Sequence, residues 1–160
     1  ISRGLDSIRI TQMIWGTYFI NVRLVEVGRL QYEYVDMHTI RIHIPSDEKL
    51  EVLKVIDSIT SSKNVIKRYF KVEKPQYVCD SWLLSPEIHQ LVSKDSNIYQ
   101  FYELFNVSKG YDCIRDIFDF VYRTKECDYR ELAEETSLQR VIKEYLLDGN
   151  CIHLGCGILK

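Results

Sequence analysis

The chain has 160 residues, of which 46% are hydrophobic and 28% charged, which is typical of one soluble globular domain and excludes a disordered or fibrous protein. Lys and Arg (21) nearly balance Asp and Glu (23), and the net charge of -2 argues against a nucleic acid or an anionic membrane surface as the main partner. No segment approaches the roughly 18 consecutive apolar residues of a membrane span.

A hairpin is predicted near the start of the chain. Apolar residues alternate over 18–25 and again over 30–37, and the link Gly28-Arg29 suits a two-residue type II′ turn because glycine accepts the positive φ that this turn needs. The turn predicts these cross-strand pairs: Val27 with Leu30, Val25 with Tyr32, and Arg23 with Tyr34.

A third strand and a helix follow. Residues 40, 42 and 44 are isoleucines, so His43 is predicted on the opposite face, where it could meet Arg23 or Tyr34. Ser46 is a plausible helix N-cap, with Asp47 and Glu48 in the first turn. The apolar positions at helical spacing are Leu50, Leu53, Ile56 and Ile59, with Val65, Ile66, Tyr69 and Phe70 on a second short helix.

The second half of the chain alternates strands and helices. We predict a buried strand over 76–84, a short helix from Pro86 to Val92, an aromatic strand over 98–107 and a helix over 111–122. A last helix carries a capping box at Thr136 to Gln139 and a C′ glycine at Gly149. A strand pair over 151–154 and 157–159 ends the chain, and the whole order predicts a mixed α/β fold around one sheet.

The five cysteines predict reduced thiols in the cytoplasm, since their number is odd and no CxxC pair is present. Cys151, His153 and Cys156 are close in sequence, but a tetrahedral site needs a fourth ligand that the local pattern does not supply, so no metal is predicted. The chain begins at Ile1 without a signal-like stretch. We expect it to be part of a longer protein.

Seven short sequences, taken together and in order, resemble the GNAT-like C-terminal domain of bacterial proteins assigned as N-acyltransferases. They are Trp15-Gly16, Gly28-Arg29-Leu30-Gln31-Tyr32, Ile42-His43-Ile44-Pro45, Cys79-Asp80-Ser81-Trp82-Leu83-Leu84, Ser96-Asn97-Ile98, Leu138-Gln139-Arg140 and Gly155-Cys156-Gly157-Ile158-Leu159. The resemblance implies a GNAT-like fold over residues 1–160, with a mostly antiparallel central sheet and helices on both faces. It also implies an acyl-CoA donor, an amine acceptor and a separate N-terminal domain as partner.

One turn departs from the GNAT enzyme pattern. In those enzymes a glycine-rich turn before a helix holds the pyrophosphate of acyl-CoA through backbone N–H groups. The corresponding turn here, residues 43–48, has no glycine, and Pro45 removes one N–H donor. Asp47 and Glu48 add negative charge where the phosphates would lie. Acyl-CoA therefore binds in a different way or not at all.

The candidate catalytic residues are Asp80, His43 and Ser81. Asp80 stands where the resemblance implies a histidine, and a carboxylate could replace that base if burial raised its pKa. The structural alternatives are that Asp80 caps the helix near Ser85 and that His43 is a hydrogen-bonded sheet residue. The candidate substrate- or cofactor-binding residues are Arg29, Gln31, Trp82, Asn97 and Arg140.

Four of the five binding candidates have a structural alternative. Arg29 could be a solvated turn residue, Trp82 could belong to the core, and Asn97 could serve a helix-to-strand turn. Arg140 would point away from a site if Gln139 completes the capping box.

Two functions remain open. In the first, an acyltransferase, Asp80 or His43 removes a proton from the substrate amine while backbone N–H groups stabilise the oxyanion. In the second, a non-catalytic binding or docking module keeps the fold but has lost the CoA pyrophosphate turn. The acidic, glycine-free stretch from Pro45 to Glu48 favours the second.

Overall fold

The computed structural model describes residues 23–160, which form a mixed α/β fold. Predictions that concern residues 15–22 lie outside the described residues. The helices and strands are β1 (Leu24–Val27), β2 (Leu30–Tyr34), β3 (Thr39–His43), α1 (Val52–Phe70), β4 (Gln76–Ser81), α2 (Pro86–Leu91), α3 (Asn97–Tyr102), β5 (Phe105–Asp112), α4 (Ile114–Asp116), α5 (Ser137–Leu147) and β6 (His153–Leu159). A 3₁₀ turn (Trp82–Leu84) follows β4, a π-helix (Ile117–Tyr122) continues α4, and a second 3₁₀ turn (Tyr129–Glu131) precedes α5.

The six strands have the order β1-β2-β3-β4-β6-β5. The pairs β1–β2, β2–β3 and β5–β6 are antiparallel, whereas β3 and β4 are parallel, so the predicted mostly antiparallel sheet is confirmed. The chain divides into two compact units, with the boundary between Val78 and Cys79.

In the first unit the predicted hairpin is confirmed. Gly28 has a φ of +58°, and Val27 pairs with Leu30 and Val25 with Tyr32. The second strand is shorter than predicted because it ends at Tyr34. The following residues form a turn, in which the Asp36 carboxylate accepts a hydrogen bond from the His38 N–H at 2.7 Å.

The predicted third strand is confirmed as β3, but its neighbours differ from the expectation. Residues directly opposite each other on antiparallel strands share a face, and Glu33 is paired with Arg41 and Gln31 with His43. His43 Nε2 lies 2.8 Å from a carboxylate oxygen of Glu33. The predicted meeting of His43 with Tyr34 is wrong, because Tyr34 pairs with Ile40 on the other face.

The predicted start of the long helix at Ser46 is wrong. Helix α1 begins at Val52 and continues to Phe70 without interruption, so the predicted second short helix is part of it. The predicted apolar stripe is also displaced, since Leu53 is 78% exposed. The residues that α1 buries are Val55, Ser58, Ile59, Ser62 and Ile66.

Two buried serines of α1 hydrogen-bond to tyrosines of the sheet. The Tyr32 hydroxyl lies 2.8 Å from Ser58 Oγ, which donates a hydrogen bond to the carbonyl of Val27. The Tyr77 hydroxyl lies 3.0 Å from Ser62 Oγ. Burial raises the pKa of the Tyr32 phenol, so the hydroxyl stays protonated. Because their hydroxyls are hydrogen-bonded, Ser58 and Ser62 can occupy buried positions of α1 that are usually apolar.

In the second unit, β4 ends at Ser81, earlier than predicted, and the next three residues form the 3₁₀ turn. The helix predicted from Pro86 is confirmed as α2, with Ser85 as its N-cap. The aromatic strand predicted over 98–107 is wrong in its first half. Ser96 accepts a hydrogen bond from the Tyr99 N–H at 3.1 Å and thereby begins helix α3, so the strand starts only at Phe105.

The last helix, α5, has the predicted capping box. Thr136 Oγ1 accepts from the Gln139 N–H at 3.1 Å, and Gln139 Oε1 accepts from the Thr136 N–H at 3.0 Å. Gly149 follows the helix with a φ of +81°, as expected for a C′ glycine. The predicted terminal strand pair is wrong, since 153–159 form the single strand β6 paired with β5.

Strand β6 passes very close to the 3₁₀ turn. A Cβ atom built at Gly155 would lie 1.8 Å from the carbonyl oxygen of Leu84, a distance that no side chain can occupy. At Gly157 the nearest atom would be Leu84 Cδ1, at 2.7 Å. The backbone contact at Gly155 therefore fixes the separation of β6 from the turn, whereas the nearest contact at Gly157 is with the end of a side chain.

A nearly buried carboxylate joins α2 to β6 and β5. Glu87, whose side chain is 11% exposed, accepts hydrogen bonds from Ser85 Oγ (3.0 Å) and the His153 N–H (3.1 Å) and lies 2.9 Å from Lys109 Nζ. Glu87 Oε2 accepts the two hydrogen bonds, whereas Oε1, the oxygen that faces Lys109, also lies 3.1 Å from His153 Nδ1. Burial alone would raise the pKa of this carboxyl, but the hydrogen bonds, that from Lys109 foremost, lower it from 4.5 to about 2.

We predict that Gly155→Ala lowers the free energy of unfolding by about 3 kcal/mol, because the backbone of Leu84 must move. Gly157→Ala is the matched control on the same strand and should cost less, about 1 kcal/mol, since its nearest contacts are the side chains of Leu84 and Phe105 and no backbone atom. Urea denaturation of both variants measures the difference. An equal loss in the two variants would contradict the backbone contact at Gly155.

We also predict that Glu87 makes stability depend on pH between 4.5 and 2. Its folded pKa is below the unfolded value, so its contribution is complete above pH 4.5 and is lost as the pH falls through this window. Glu87→Gln should cost about 3 kcal/mol at pH 6 and progressively less toward pH 2. Glu103→Gln, which removes a half-exposed partner of His89, should cost under about 1 kcal/mol. Denaturation at several pH values tests both.

Candidate functional site

Residues 44–51, here called the 44–51 loop, connect β3 to α1 and occupy the position of the turn singled out in the sequence. The side chain of Arg29 binds this loop through three of its carbonyl groups. Its Nη2 donates hydrogen bonds to the carbonyls of Pro45 and Glu48, both at 2.7 Å, and its Nε donates to the carbonyl of Lys49 at 3.1 Å. Arg29 is 7% exposed, so the alternative of a solvated turn arginine is wrong.

The charge at the start of α1 differs from the expectation. Because the helix begins at Val52, Asp47 and Glu48 precede it, and its first turn holds no acidic residue. The N-cap residue Glu51 makes no side-chain capping hydrogen bond, and its carboxylate lies instead 3.0 Å from Lys54 Nζ. The prediction that two acids in the first turn offset the helix dipole is therefore wrong, and the acid nearest to the helix is the N-cap residue Glu51.

His43 and Gln31 lie on one face of the first unit's sheet and are paired in the register of β2 and β3. Glu33 lies between His43 and Arg41, with its Oε2 2.8 Å from the imidazole and 3.5 Å from Arg41 Nη1. Gln31 Nε2 donates to Glu26 at 3.2 Å. Sequence reasoning missed Glu33, because the partner of His43 depends on the register of β2 against β3, which the predicted hairpin turn does not fix.

Asp80, Ser81 and Trp82 are consecutive at the end of β4, in the second unit. Asp80 is exposed, and it lies beside Cys156, whose thiol pKa is raised by burial and by this carboxylate. Ser81 Oγ accepts a hydrogen bond from the Leu83 N–H at 3.2 Å, so it caps the 3₁₀ turn. Trp82 is half-buried against the core of this unit, as the structural alternative proposed.

The alternative in which Asp80 caps the next helix is wrong, since Ser85 caps α2. Cys79, beside it, is buried, and burial raises the pKa of its thiol to about 12. Such a thiol is protonated at neutral pH and is a poor nucleophile.

The two remaining predicted binding residues lie on helices of the second unit. Asn97 is exposed at the first position of α3, directly after the N-cap. Arg140 Nη1 donates hydrogen bonds to the carbonyls of Glu134 and Glu135, at 2.8 and 3.3 Å. Arg140 thus stabilises the segment before α5, and Asn97 serves the start of a helix rather than a helix-to-strand turn.

Within residues 23–160 the structure contains no cluster of three or more His, Cys, Asp or Glu side chains that could bind a metal ion. In the same part of the chain no helix combines the length and the apolar character needed to cross a bilayer.

Solved structures of acyltransferases share this fold. One, in complex with decanoyl-CoA, superimposes with a TM-score of 0.80 at 24% identity over 93% of this chain and 50% of its own. Another, in complex with CoA and 10C-teicoplanin, has a TM-score of 0.80 at 23% identity over 91% of this chain and 49% of its own. The chain thus spans about half the length of these proteins, and at such identities the likeness establishes the fold. No curated protein matches the sequence.

The family described as "GNAT-like C-terminal domain" matches residues 24–159. This range includes β1 through β6, and with them both the 44–51 loop and the Asp80-Ser81-Trp82 segment. The family resemblance inferred from the short sequences is confirmed, and the chain belongs to the family of GNAT-like C-terminal domains.

Proposed function

We propose that this domain binds an acyl-CoA and transfers its acyl group to an amine. The observation that carries the proposal is the start of α1, where a 19-residue helix follows the end of β3 without a side-chain cap and without an acid in its first turn. A helix N-terminus of this kind favours a phosphate group because its N–H groups and the helix dipole both attract negative charge. The acyl-CoA bound to the structurally similar acyltransferases supports the same ligand class.

The absence of glycine from the 44–51 loop is compatible with acyl-CoA binding. A tight glycine-rich turn is needed where the phosphate must approach a helix that begins at once after the strand. Here eight residues separate β3 from α1, and Arg29 holds three of their carbonyls. The longer loop replaces the tight turn, so acyl-CoA would approach the helix over the loop.

Transfer requires a base for the attacking amine. The amine nitrogen attacks the thioester carbonyl, the carbon–sulfur bond breaks, and the thiolate of CoA receives a proton as the amide forms. His43, oriented by Glu33, and Asp80 are the proposed bases. His43 belongs to the first compact unit and Asp80 to the second. The amine acceptor and a separate N-terminal domain are the proposed partners.

Placing a negative charge at the start of α1 tests acyl-CoA binding. We predict that Leu53→Glu weakens octanoyl-CoA binding roughly fivefold, since a carboxylate in the first turn competes with the phosphates by about 1 kcal/mol. Leu53→Gln, which has the same shape without the charge, should bind like the wild type. Leu53 is exposed, so both variants should remain folded. Isothermal titration calorimetry gives the dissociation constants, and equal values for the two variants would argue against this site.

A second test concerns the base. We predict that Asp80→Asn lowers acyl transfer to an amine at least about 100-fold, the usual contribution of a general base, with an unchanged melting temperature because Asp80 is exposed. Asp57→Asn, an equivalent change at an exposed position of α1, should retain full turnover. Full turnover by Asp80→Asn would exclude Asp80 and leave His43, which His43→Asn would then test.

A docking module without catalysis is the second candidate, and the exposed carboxylates of Asp47 and Glu48 favour it. Titration of acetyl-CoA and octanoyl-CoA into the domain and the full-length protein separates the two functions. Binding to the domain supports the transferase, and binding only to the full-length protein indicates a site shared with another domain. No binding to either would leave the docking module as the better account.

A further inference from the structure

Arg29 makes an unusual contact, because one buried guanidinium collects three carbonyl groups from a loop of eight residues. The two short hydrogen bonds, at 2.7 Å to Pro45 and Glu48, and the third, at 3.1 Å to Lys49, come from one face of the loop. The Glu51 N–H also donates to the Lys49 carbonyl, at 3.1 Å. Charge-assisted hydrogen bonds of this length are among the stronger ones in proteins.

The orientation of these carbonyls fixes the orientation of the neighbouring N–H groups. In a planar trans peptide the C=O of one residue and the N–H of the next point in opposite directions, and none of the described peptides is cis. The N–H groups that follow the three carbonyls belong to Ser46, Lys49 and Leu50. All three are therefore directed away from the buried guanidinium.

Burial places the N–H groups of Ser46 and Lys49 on the outer side of the loop. Arg29 is 7% exposed beneath it, whereas the residues from Ser46 to Lys49 are all exposed. The first turn of α1, which carries no acid, begins at Val52, directly after the N-cap residue Glu51. Peptide N–H groups and the positive end of a helix thus follow one another along the chain.

We infer that Arg29 is a positioning residue for acyl-CoA: it touches the loop rather than the ligand and turns the N–H groups of Ser46, Lys49 and Leu50 outward, toward the pyrophosphate. This inference rests on the proposed function, since it assigns a residue to the same site. The sequence predicts that Arg29 binds substrate or cofactor directly. We assign it an indirect role instead, because its Nε and Nη2 already donate to the loop. The protein thereby presents backbone donors without the glycines that usually provide them.

The chemistry of the contact requires arginine. A guanidinium presents its donors in a rigid plane and can serve several carbonyls at once, whereas the ammonium group of lysine is a single point of charge. Arg29→Lys therefore keeps the charge but cannot hold all three carbonyls. Arg68→Lys, at the exposed far end of α1, makes the same chemical change outside the loop and is the matched control.

The test compares two acyl donors in the full-length protein by calorimetry. Octanoyl-CoA carries the pyrophosphate, and octanoyl-pantetheine carries the same thioester without it. We expect Arg29→Lys to weaken octanoyl-CoA binding about tenfold and octanoyl-pantetheine binding less than about twofold, since only the former uses the loop amides. Arg68→Lys should bind both like the wild type.

Each outcome has a distinct meaning. Failure of the wild type to bind octanoyl-CoA would overturn the proposed function and this inference with it. A wild type that binds, with an Arg29→Lys variant that loses both donors equally or neither, would overturn only the inference.

If Arg29→Lys does not fold, the wild type supplies the test. Amide resonances of Ser46, Lys49 and Leu50 should shift when CoA is titrated into ¹⁵N-labelled protein. Bound CoA with no shift at these three amides would overturn the inference.

Discussion

The path of the chain between the third strand and the long helix depends on the buried guanidinium of Arg29. It binds carbonyls of Pro45 and Glu48, in the segment where the sequence predicts a helix, and helix α1 begins only at Val52. Successive residues of a helix turn by about 100°, so Ser58 and Ser62 lie on one face of α1. On that face they meet Tyr32 and Tyr77.

Local sequence signals predicted the elements that local interactions determine. The Gly28 turn and the capping box at Thr136 and Gln139 involve residues within a few positions of one another, and both were predicted correctly. Ser46 and Ser96 show the limit of this reasoning, because both are followed by residues suitable for a helix. Ser96 caps α3, whereas the residues on either side of Ser46 are held by Arg29, 16 to 20 positions earlier in the chain.

The candidate site was predictable in part for the same reason. Short sequences identified the family and the loop before α1, but they did not give the partners of the polar residues. Glu87 and His153 are 66 positions apart, and only the packing of α2 against β6 brings them together. Asp80 remains a predicted base, and its exposure and its neighbour Cys156 became visible only in three dimensions.

The serine–tyrosine pairs of the first unit have a consequence for sequence divergence. Loss of the Ser58 hydroxyl alone removes one hydrogen-bond partner from the buried Tyr32 hydroxyl and one from the Val27 carbonyl, whereas exchanging Ser58 for alanine and Tyr32 for phenylalanine together removes the hydroxyl that has lost its partner as well. The intermediate with one change is the costly one. Positions 32 and 58 should therefore covary among homologues, with tyrosine accompanying serine and phenylalanine accompanying alanine, and this coupling can be traced without a structure.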